Sequence, residues 1–354
     1  MARRALRIPR GWLRCALCAA ALCVVPSVDA GEAAADLLIF PTLHLESWPG
    51  AGDGRSPQLH YATSVFQTWS RDRLRFMTEF YFSDHERELE RLQAGWQLNP
   101  RHTLWVGRFH AGIGYWNLRY HHGYHLQSTV HRPAIVEYED DGGILPMHAA
   151  GLLFEGRRPR GDGQFAYSLS VGAGADFDRH LNPYALLKED PGRHDLQTVA
   201  RLSYRPDALG STEGGVFGGY LPIVSAVAGV PSVEMWLGGA FWHQAWITNR
   251  ITAAGFYAHN RFSGGGSAAF AAAYLQGEHE LSRRWLIYGR IEGMLGAEDD
   301  PYLIRFEGFP VDQAIAGVRF DFTRRQALSL EVARTHTLGD DRWHVSTQWS
   351  AAFP

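Results

Sequence analysis

Residues 313–322 read QAIAGVRFDF, and apolar and polar side chains alternate along them. The apolar set comprises Ala314, Ala316, Val318, Phe320 and Phe322. Arg319 and Asp321 belong to the opposite face, because successive side chains of a β-strand point to opposite sides. Where such strands recur and close into a barrel, the apolar faces meet lipid and the charged faces line water. The stretch therefore predicts a strand of a transmembrane barrel.

The same alternation recurs along the chain. It is found in LHYATSVFQTW (59–69), RLRFMTEFYF (73–82), QFAYSLSVGAG (164–174), VEMWLGGAF (233–241), RWLIYGRIEG (284–293), ALSLEVAR (327–334) and RWHVSTQWSAAFP (342–354). The last of these resembles the closing strand of bacterial outer-membrane barrels, which ends on an aromatic residue. Here Phe353 is followed by Pro354, which departs from that pattern.

The connections between these strands are of two alternating kinds. Tight, arginine-rich turns are predicted at 70–73, 99–102, 157–163, 281–284 and 323–326. Other connections, often longer, are predicted at 47–57, 83–88, 110–147, 174–194, 222–231, 259–266, 295–312 and 335–341. Short periplasmic turns and long external loops are the topology of an up-and-down antiparallel barrel in an outer membrane. We expect about sixteen strands, with twelve to eighteen compatible with the pattern, and an all-β fold.

The first thirty residues predict a secretory signal peptide, which leaves residues 31–354 as the barrel. MARRALRIPRGWLR has five arginines and no acid, and a short apolar run and small residues before a cleavage point follow it. All three cysteines lie in this segment. Its removal takes five arginines and one aspartate, leaving 29 basic and 36 acidic residues and a net charge of −7 with histidine neutral. Nucleic acid is therefore not an expected partner.

Two other fold classes fit the sequence less well than the barrel. A secreted soluble β-sandwich or propeller also alternates, but it would not need charged residues opposite the apolar face of nearly every strand. A helix-rich enzyme is disfavoured because extended amphipathic helices are hard to find, whereas glycine and aromatic residues are abundant.

The connection 110–147 is the third external loop and the longest one, and loops of this length usually have a function. By position it resembles the third loop of general porins, which folds into the lumen and narrows it. The preceding WVGRF (105–109) and HAGIGYW (110–116) resemble the G-[RK]-F pattern of the phosphate-selective porin O and P group, with Ala111 or Ile113 where a proline is common. The resemblance implies the fold and a diffusion channel. It does not carry over the phosphate preference, because a phosphate pore requires lysine or arginine ladders.

The loop supplies the candidate residues for binding a solute. They are His110, Tyr115, Arg119, His121, His122, His125, His131, Arg132, Glu137, Glu139, Asp140 and Asp141. Three interpretations of the histidines remain open. In the first, the histidines line a water-filled lumen. In the second, His121 and His125, which are four residues apart, bind zinc or copper, although Gly123 disfavours the helix that would place them on one face. In the third, His125 activates Ser128 as the nucleophile of a hydrolase.

These observations predict a porin-like channel in the outer membrane of a Gram-negative bacterium. It would pass small polar solutes or ions and catalyse no reaction, as a monomer or a homotrimer in contact with outer-membrane lipid. No cofactor is expected, unless the loop holds a transition metal. The alternatives are a closed barrel whose loop binds zinc or copper, and an outer-membrane hydrolase. The acidic balance predicts a preference for cations at neutral pH, which should fall as the histidines are protonated.

Overall fold

The computed structural model describes residues 33–48, 56–120, 123–139, 142–187, 189–190, 192–306 and 308–354. The predicted signal peptide lies outside the described residues. Ala34–Pro354 form one compact unit. In the part of the chain that the structure describes, no helix is both long and apolar enough to cross a membrane.

Strands make up nearly all of the regular structure. They are β1 (Ala34–Ser47), β2 (Gln58–Arg71), β3 (Leu74–Ser83), β4 (Arg87–Asn99), β5 (His102–His110), β6 (His148–Arg160), β7 (Gly163–Ala173), β8 (Ala175–Phe177), β9 (Leu181–Pro183), β10 (Leu196–Arg205), β11 (Glu213–Ser225), β12 (Val233–Ala245), β13 (Asn249–Phe262), β14 (Ser267–Glu280), β15 (Trp285–Leu295), β16 (Pro310–Thr323), β17 (Gln326–Thr337) and β18 (Asp341–Ala351). Among the described residues, the connections contain one helical turn, α1 (Trp116–Arg119), and two 3₁₀ turns (Ala134–Val136 and Leu303–Arg305).

Sixteen of the strands form a closed antiparallel barrel, as the sequence predicts. Each barrel strand pairs with the next along the chain, and β7 pairs with β10 because β8 and β9 form a separate small hairpin beside β11. β1 and β18 close the ring, with Thr42 opposite Ser350 and Ser47 opposite Val345. Beyond β18, Ile39 and Phe353 exchange two backbone hydrogen bonds of 2.8 and 2.9 Å. Phe353 therefore extends the seam, and Pro354 lies past the last paired position.

The two ends of the barrel differ as predicted. Tight turns such as Arg71–Leu74 and Arg160–Gly163 join strands at one end, here the short-turn end. Asp72 adopts φ 52° in the first of these turns, a left-handed conformation that aspartate tolerates better than most side chains. The longest connections, among them 111–147 and 296–309, lie at the other end, called the long-loop end; the longest connection at the short-turn end is 206–212. Several strands reach three or four residues further toward the long-loop end than the sequence suggested; β11, for example, continues to Ser225, whereas the connection was predicted to begin at 222.

The outer face of the barrel is apolar. Leu59, Leu152, Leu275 and Ile291 are 49–66 % exposed, at strand positions whose neighbours along the chain face inward. Tyr61, Trp236 and Trp343 mark this face near the long-loop end, and Trp96, Trp242 and Trp285 mark it near the short-turn end. Soluble monomers rarely expose continuous apolar patches of this extent, whereas an apolar band between two aromatic girdles is what a bilayer requires.

The alternation of β4 slips at one point. A bulge in the β3–β4 ladder pairs Glu79 with Arg91 and Phe80 with Leu89, which leaves Glu90 of β4 without an opposite residue. The register of β3 with β2 is continuous through this region, so Thr78 keeps the face of Phe76 and Phe80, where its small side chain is covered. The bulge adds Glu90 to the inner side of β4, where it is fully buried.

The orientation of the strands gives a stability prediction. Leu275 lies near the middle of β14 on the outer face, so Leu275→Arg should destabilise the barrel in lipid by about 2–4 kcal/mol, measured by urea unfolding in vesicles. Leu209→Arg is the matched control, because Leu209 is 98 % exposed in a connection at the short-turn end, and its change should stay within about 0.5 kcal/mol. Equal effects of the two substitutions would contradict a lipid-facing belt.

Candidate functional site: the lumen and its inserted loop

Residues 111–147, called loop 3 below, fold into the barrel. Loop 3 starts and ends at the long-loop end, where His110 of β5 pairs with His148 of β6. Its middle part reaches the opposite end: Arg119 forms an ion pair with Glu213 at the start of β11, and His125 Nε2 lies 3.4 Å from the Arg324 carbonyl in a tight turn. The loop therefore extends through the full height of the lumen.

The chain folds this way because loop 3 has its own apolar residues. Ile113, Tyr115, Trp116, Val136 and Tyr138 are fully or almost fully buried. They belong to one apolar cluster with inward-facing residues of β10 to β14, which are Val199, Phe217, Leu221, Met235, Leu237, Phe241, Ala254, Phe256, Ala258, Phe270, Ala272 and Tyr274. The prediction that the inner faces of the strands line water is therefore wrong for β10 to β14. On this side the inner wall is apolar because it packs against the loop and not against water.

The opposite side of the loop is held by charged residues of the wall. Arg290 of β15 donates hydrogen bonds to the carbonyls of His131 (2.9 Å) and Arg132 (2.7 Å). Glu331 of β17 accepts hydrogen bonds from the Val130 amide (2.9 Å) and the His131 ring (2.6 Å). Both wall side chains are almost completely buried.

Two further wall residues bind the backbone of loop 3 on either side of residues 130–132. Glu292 accepts a hydrogen bond from the Ala134 amide at 2.7 Å, and Arg319 donates to the carbonyls of His125 and Gln127 at 2.9 and 2.5 Å. Because a buried charge without a partner is costly, each contact stabilises both the loop and the strand that carries the charge.

A buried network of carboxylates and histidines joins the two ends of loop 3. His148 lies 2.8 Å from Glu90 through Nε2 and 2.8 Å from Glu139 through Nδ1. Glu139 also accepts hydrogen bonds from the backbone amides of Met147 (2.5 Å) and His148 (3.0 Å). Burial acts to raise the pKa of Glu139, but the attraction of His148 and the hydrogen bonds outweigh it, so its pKa is lowered. Glu139 therefore stays ionised and fastens the return of the loop.

His110 belongs to the same network. Its ring lies 4.7 Å from the His148 ring, and its Nδ1 is 3.1 Å from the Asn117 carbonyl. Gly107, in the GRF stretch just before it, has φ +132°, and a Cβ there would lie 1.9 Å from the Leu92 carbonyl oxygen. The glycine of that motif is thus required where β5 approaches β4.

The other predicted loop residues are placed as follows. Tyr115 stacks on the His243 ring at 4.7 Å, and burial raises its pKa to about 12. The Arg132 guanidinium lies 3.7 Å from the centre of the Tyr138 ring and 3.9 Å from Glu137. His121, His122, Asp140 and Asp141 lie outside the described residues.

His121, one member of the predicted metal-binding pair, lies outside the described residues, so the pair stays a prediction. Among the described residues of loop 3, α1 ends at Arg119 and a 3₁₀ turn covers Ala134–Val136, and His125 belongs to neither. His125 contacts the short-turn end as described above; burial, followed by the charge of Arg319, lowers its pKa. The Ser128 hydroxyl accepts a hydrogen bond from Gln276 at 3.5 Å. His125 and Ser128 thus each have a partner in the barrel wall.

At the long-loop end, a cavity of about 500 Å³ lies between loop 3 and strands β1 to β3. Its lining includes His44, Glu46, His60, Asp84, His85 and His131. Only His131 among these was singled out in the sequence. The strand residues alternate with the exposed apolar side chains Leu43, Leu45, Leu59 and Tyr61, so the sequence pattern places them on the inner face but gives no distance between them.

Comparison with known proteins is informative at the level of the fold. No protein-family model matches the chain, and no curated protein matches it in sequence. The chain is similar in structure to OmpT, an outer membrane protein of Vibrio cholerae (TM-score 0.61, 11% identity, 92% of this chain and 99% of that one). It is also similar to the anion-selective porin from Comamonas acidovorans (TM-score 0.60, 11% identity, 91% and 100%). A third similar structure is OmpF of Salmonella typhi in complex with daunomycin (TM-score 0.58, 10% identity, 90% and 97%).

The chain has the fold of the outer-membrane porins. The shared architecture is the closed sixteen-strand antiparallel barrel, and the coverage shows that it extends over nearly the whole of each protein.

The contacts of Glu331 give a prediction about loop 3. Glu331→Gln removes the negative charge that two loop groups contact, and hydrogen bonds to charged acceptors contribute about 1.5–3 kcal/mol each. Amide hydrogen exchange around Val130 should therefore accelerate at least about tenfold, measured by mass spectrometry on the refolded protein. Glu155→Gln is the control, because Glu155 accepts a hydrogen bond from Trp105 on the barrel wall away from the loop. Unchanged exchange around Val130 in the Glu331 variant would show that the loop is held by its apolar side alone.

Proposed function

We propose that this protein is an outer-membrane channel through which small polar solutes or ions diffuse passively, and that loop 3 narrows the passage. The cavity beside β1 to β3 is the observation that carries this proposal. It lies at the long-loop end, and histidine, acidic and arginine side chains of the strands and of loop 3 form part of its lining. The outward apolar belt supports the location in a membrane, and the porin fold supports a diffusion channel.

The chemistry of the lumen supports a passive role. Its buried charges contact backbone groups or one another, as Arg290 and Glu331 do, and so they hold loop 3 in place. The His125 ring contacts the Arg324 carbonyl, and the Ser128 hydroxyl contacts Gln276. These contacts do not pair Ser128, as a nucleophile, with His125, as its base. We therefore propose that the protein catalyses no reaction. The resemblance to the phosphate-selective porin O and P group supports the channel, while solute preference should follow the residues of the cavity.

Two further proposals concern partners. Outer-membrane lipid would surround the apolar belt. The chain would function as a monomer or a homotrimer, since barrels with an inserted third loop support either state. The alternative function, a closed barrel that binds a transition metal without conducting, predicts metal binding in the absence of conductance.

Conductance measurements test the channel. The refolded protein in a planar bilayer should produce discrete current steps, and in a salt gradient it should prefer cations, because Glu46 and Asp84 line the cavity. The double variant Glu46→Gln, Asp84→Asn should lose most of that preference. Glu234→Gln is the control, because Glu234 lies on the outer face of β12 beside Arg261. A bilayer that stays silent with verified barrel insertion would overturn the proposed function.

The same measurement should depend on pH. The titratable and charged groups around the cavity are His44, His60, His85, His131, Glu46, Asp84, Glu86, Glu137, Glu331 and Arg132. Burial alone would lower the pKa of His131, but the hydrogen bond and charge of Glu331 outweigh burial and raise it above the ordinary value of histidine. His131 should therefore gain a proton as the pH falls from 8 to 5, and the added positive charge should reduce the cation preference. A preference that is constant over this range, with metal ions chelated, would show that His131 does not line the path.

A further inference from the structure

Five histidine rings form a continuous row across the long-loop end. In order they are His85, His60, His44, His131 and His344, and this set is called the histidine row. Successive ring centres are 5.1, 6.3, 5.4 and 5.1 Å apart. The rings come from the β3–β4 connection, β2, β1, loop 3 and β18, so the fold assembles them from segments that are distant along the chain.

We propose that the histidine row binds divalent transition-metal ions such as Zn²⁺ at two neighbouring sites. The first is formed by His60, Asp84 and His85, and the second by His44, Glu46 and His131. Such an ion would then be the solute that the proposed channel favours. The transport part of this inference rests on the proposed function, whereas the binding part does not.

The first site has three donor atoms that converge on one point. Asp84 Oδ2 lies 2.8 Å from His60 Nδ1 and 3.1 Å from His85 Nε2, and the two ring nitrogens are 3.1 Å apart. Donor atoms of a tetrahedral zinc ion are separated by about 3.3 Å, so small movements suffice to receive one. His85 is 73% exposed, so an ion arriving from the long-loop end reaches this site directly.

The second site lies one ring further into the lumen. One donor atom from each of His44, Glu46 and His131 lies within 4.8 Å of the others. His44 Nε2 is buried and has no hydrogen-bond partner among the described residues, which leaves a nitrogen lone pair or N–H unsatisfied there.

The ring of His131 is already oriented for such a role. Its Nδ1 is 2.6 Å from Glu331, and a histidine that donates Nδ1–H to a carboxylate presents the lone pair of Nε2 to a metal. His344 extends the row beyond His131. It is 6% exposed, and its Nε2 also has no hydrogen-bond partner among the described residues.

The donor set selects the class of ion. Calcium and magnesium prefer sites of oxygen atoms alone, whereas imidazole with one carboxylate suits zinc, copper or nickel. Each site offers only three protein ligands and adjoins a cavity of about 500 Å³, so water completes the coordination. Adjacent sites of incomplete coordination favour passage, because an ion must be bound well enough to enter and weakly enough to leave.

A third group of similar composition has a different character. Glu90, His110 and His148 are all buried, and both nitrogens of His148 already contact carboxylates. This network fastens the two ends of loop 3 and has no exposed member through which an ion could enter. The contrast identifies the open row, and not the buried network, as the place where metal would exchange.

Metal binding is tested on the refolded full barrel by equilibrium dialysis against Zn²⁺, followed by quantification of the bound metal. A hundredfold excess of Mg²⁺ in the dialysis buffer competes for sites that bind divalent cations without selectivity. The parent protein should bind two ions. His85→Ala should weaken the first site at least tenfold, and its exposed position makes an effect on folding small. His44→Ala should weaken the second site similarly. His279→Ala is the control, because His279 is an exposed histidine at the short-turn end and should change nothing.

Conductance separates this inference from the proposed function. In the parent channel, Zn²⁺ should reduce the potassium current, and the block should weaken at least tenfold in His44→Ala and His85→Ala. Co²⁺ in place of Zn²⁺ should give the visible absorption of a four- or five-coordinate site. Conductance steps with neither zinc binding nor zinc block would overturn this inference and leave the channel standing. Zinc binding in a barrel that never conducts would overturn the channel and leave the metal sites standing.

Discussion

The pairing of β1 with β18 is the constraint on which the rest of the structure depends. In a bilayer, every backbone N–H and C=O of a strand needs a partner within the protein, and a sheet achieves this only by closing on itself. The two chain ends therefore meet along one seam, which Ile39 and Phe353 extend by another pair of hydrogen bonds. Closure also fixes the number of inward positions and brings His44 of β1 close to His344 of β18 through His131.

Within this ring, loop 3 divides the lumen into two chemical environments. Its apolar side packs against β10 to β14, and its polar side meets Arg290, Glu331 and Arg319. Neither wall would be stable without the loop: one would expose apolar side chains to water, and the other would leave buried charges without partners. A cavity remains at the long-loop end, beside β1 to β3, and four histidines of the row, His44, His60, His85 and His131, line it.

Much of the fold could be predicted from the sequence, and the reason is visible in particular residues. Alternation such as that of Ala314, Ile315 and Ala316 fixes the two faces of a strand without reference to any other part of the chain. The strand number followed from it, whereas the inserted third loop was predicted from its length and from its positional resemblance to the third loop of general porins. The bulge near Thr78 could not be predicted, because it depends on the register of a neighbouring strand.

The candidate site was only partly predictable for the same reason. His131 attracted notice because the loop is rich in histidine, but its partners Glu331 and His344 lie about two hundred residues away along the chain. Periodicity shows that His44 and His60 face inward. Only the β1–β2 register, which sets them directly opposite each other, shows that they belong together.

The descent of loop 3 to the short-turn end has a consequence for the order in which the molecule assembles. The wall residues that hold residues 125–134 belong to β15, β16 and β17, which are among the last strands to be synthesised. Contacts of such long sequence separation form slowly because chain entropy must be lost first. A nascent chain therefore holds an unanchored loop until its final strands arrive, and the insertion of the loop and the sealing of the barrel become a single late event.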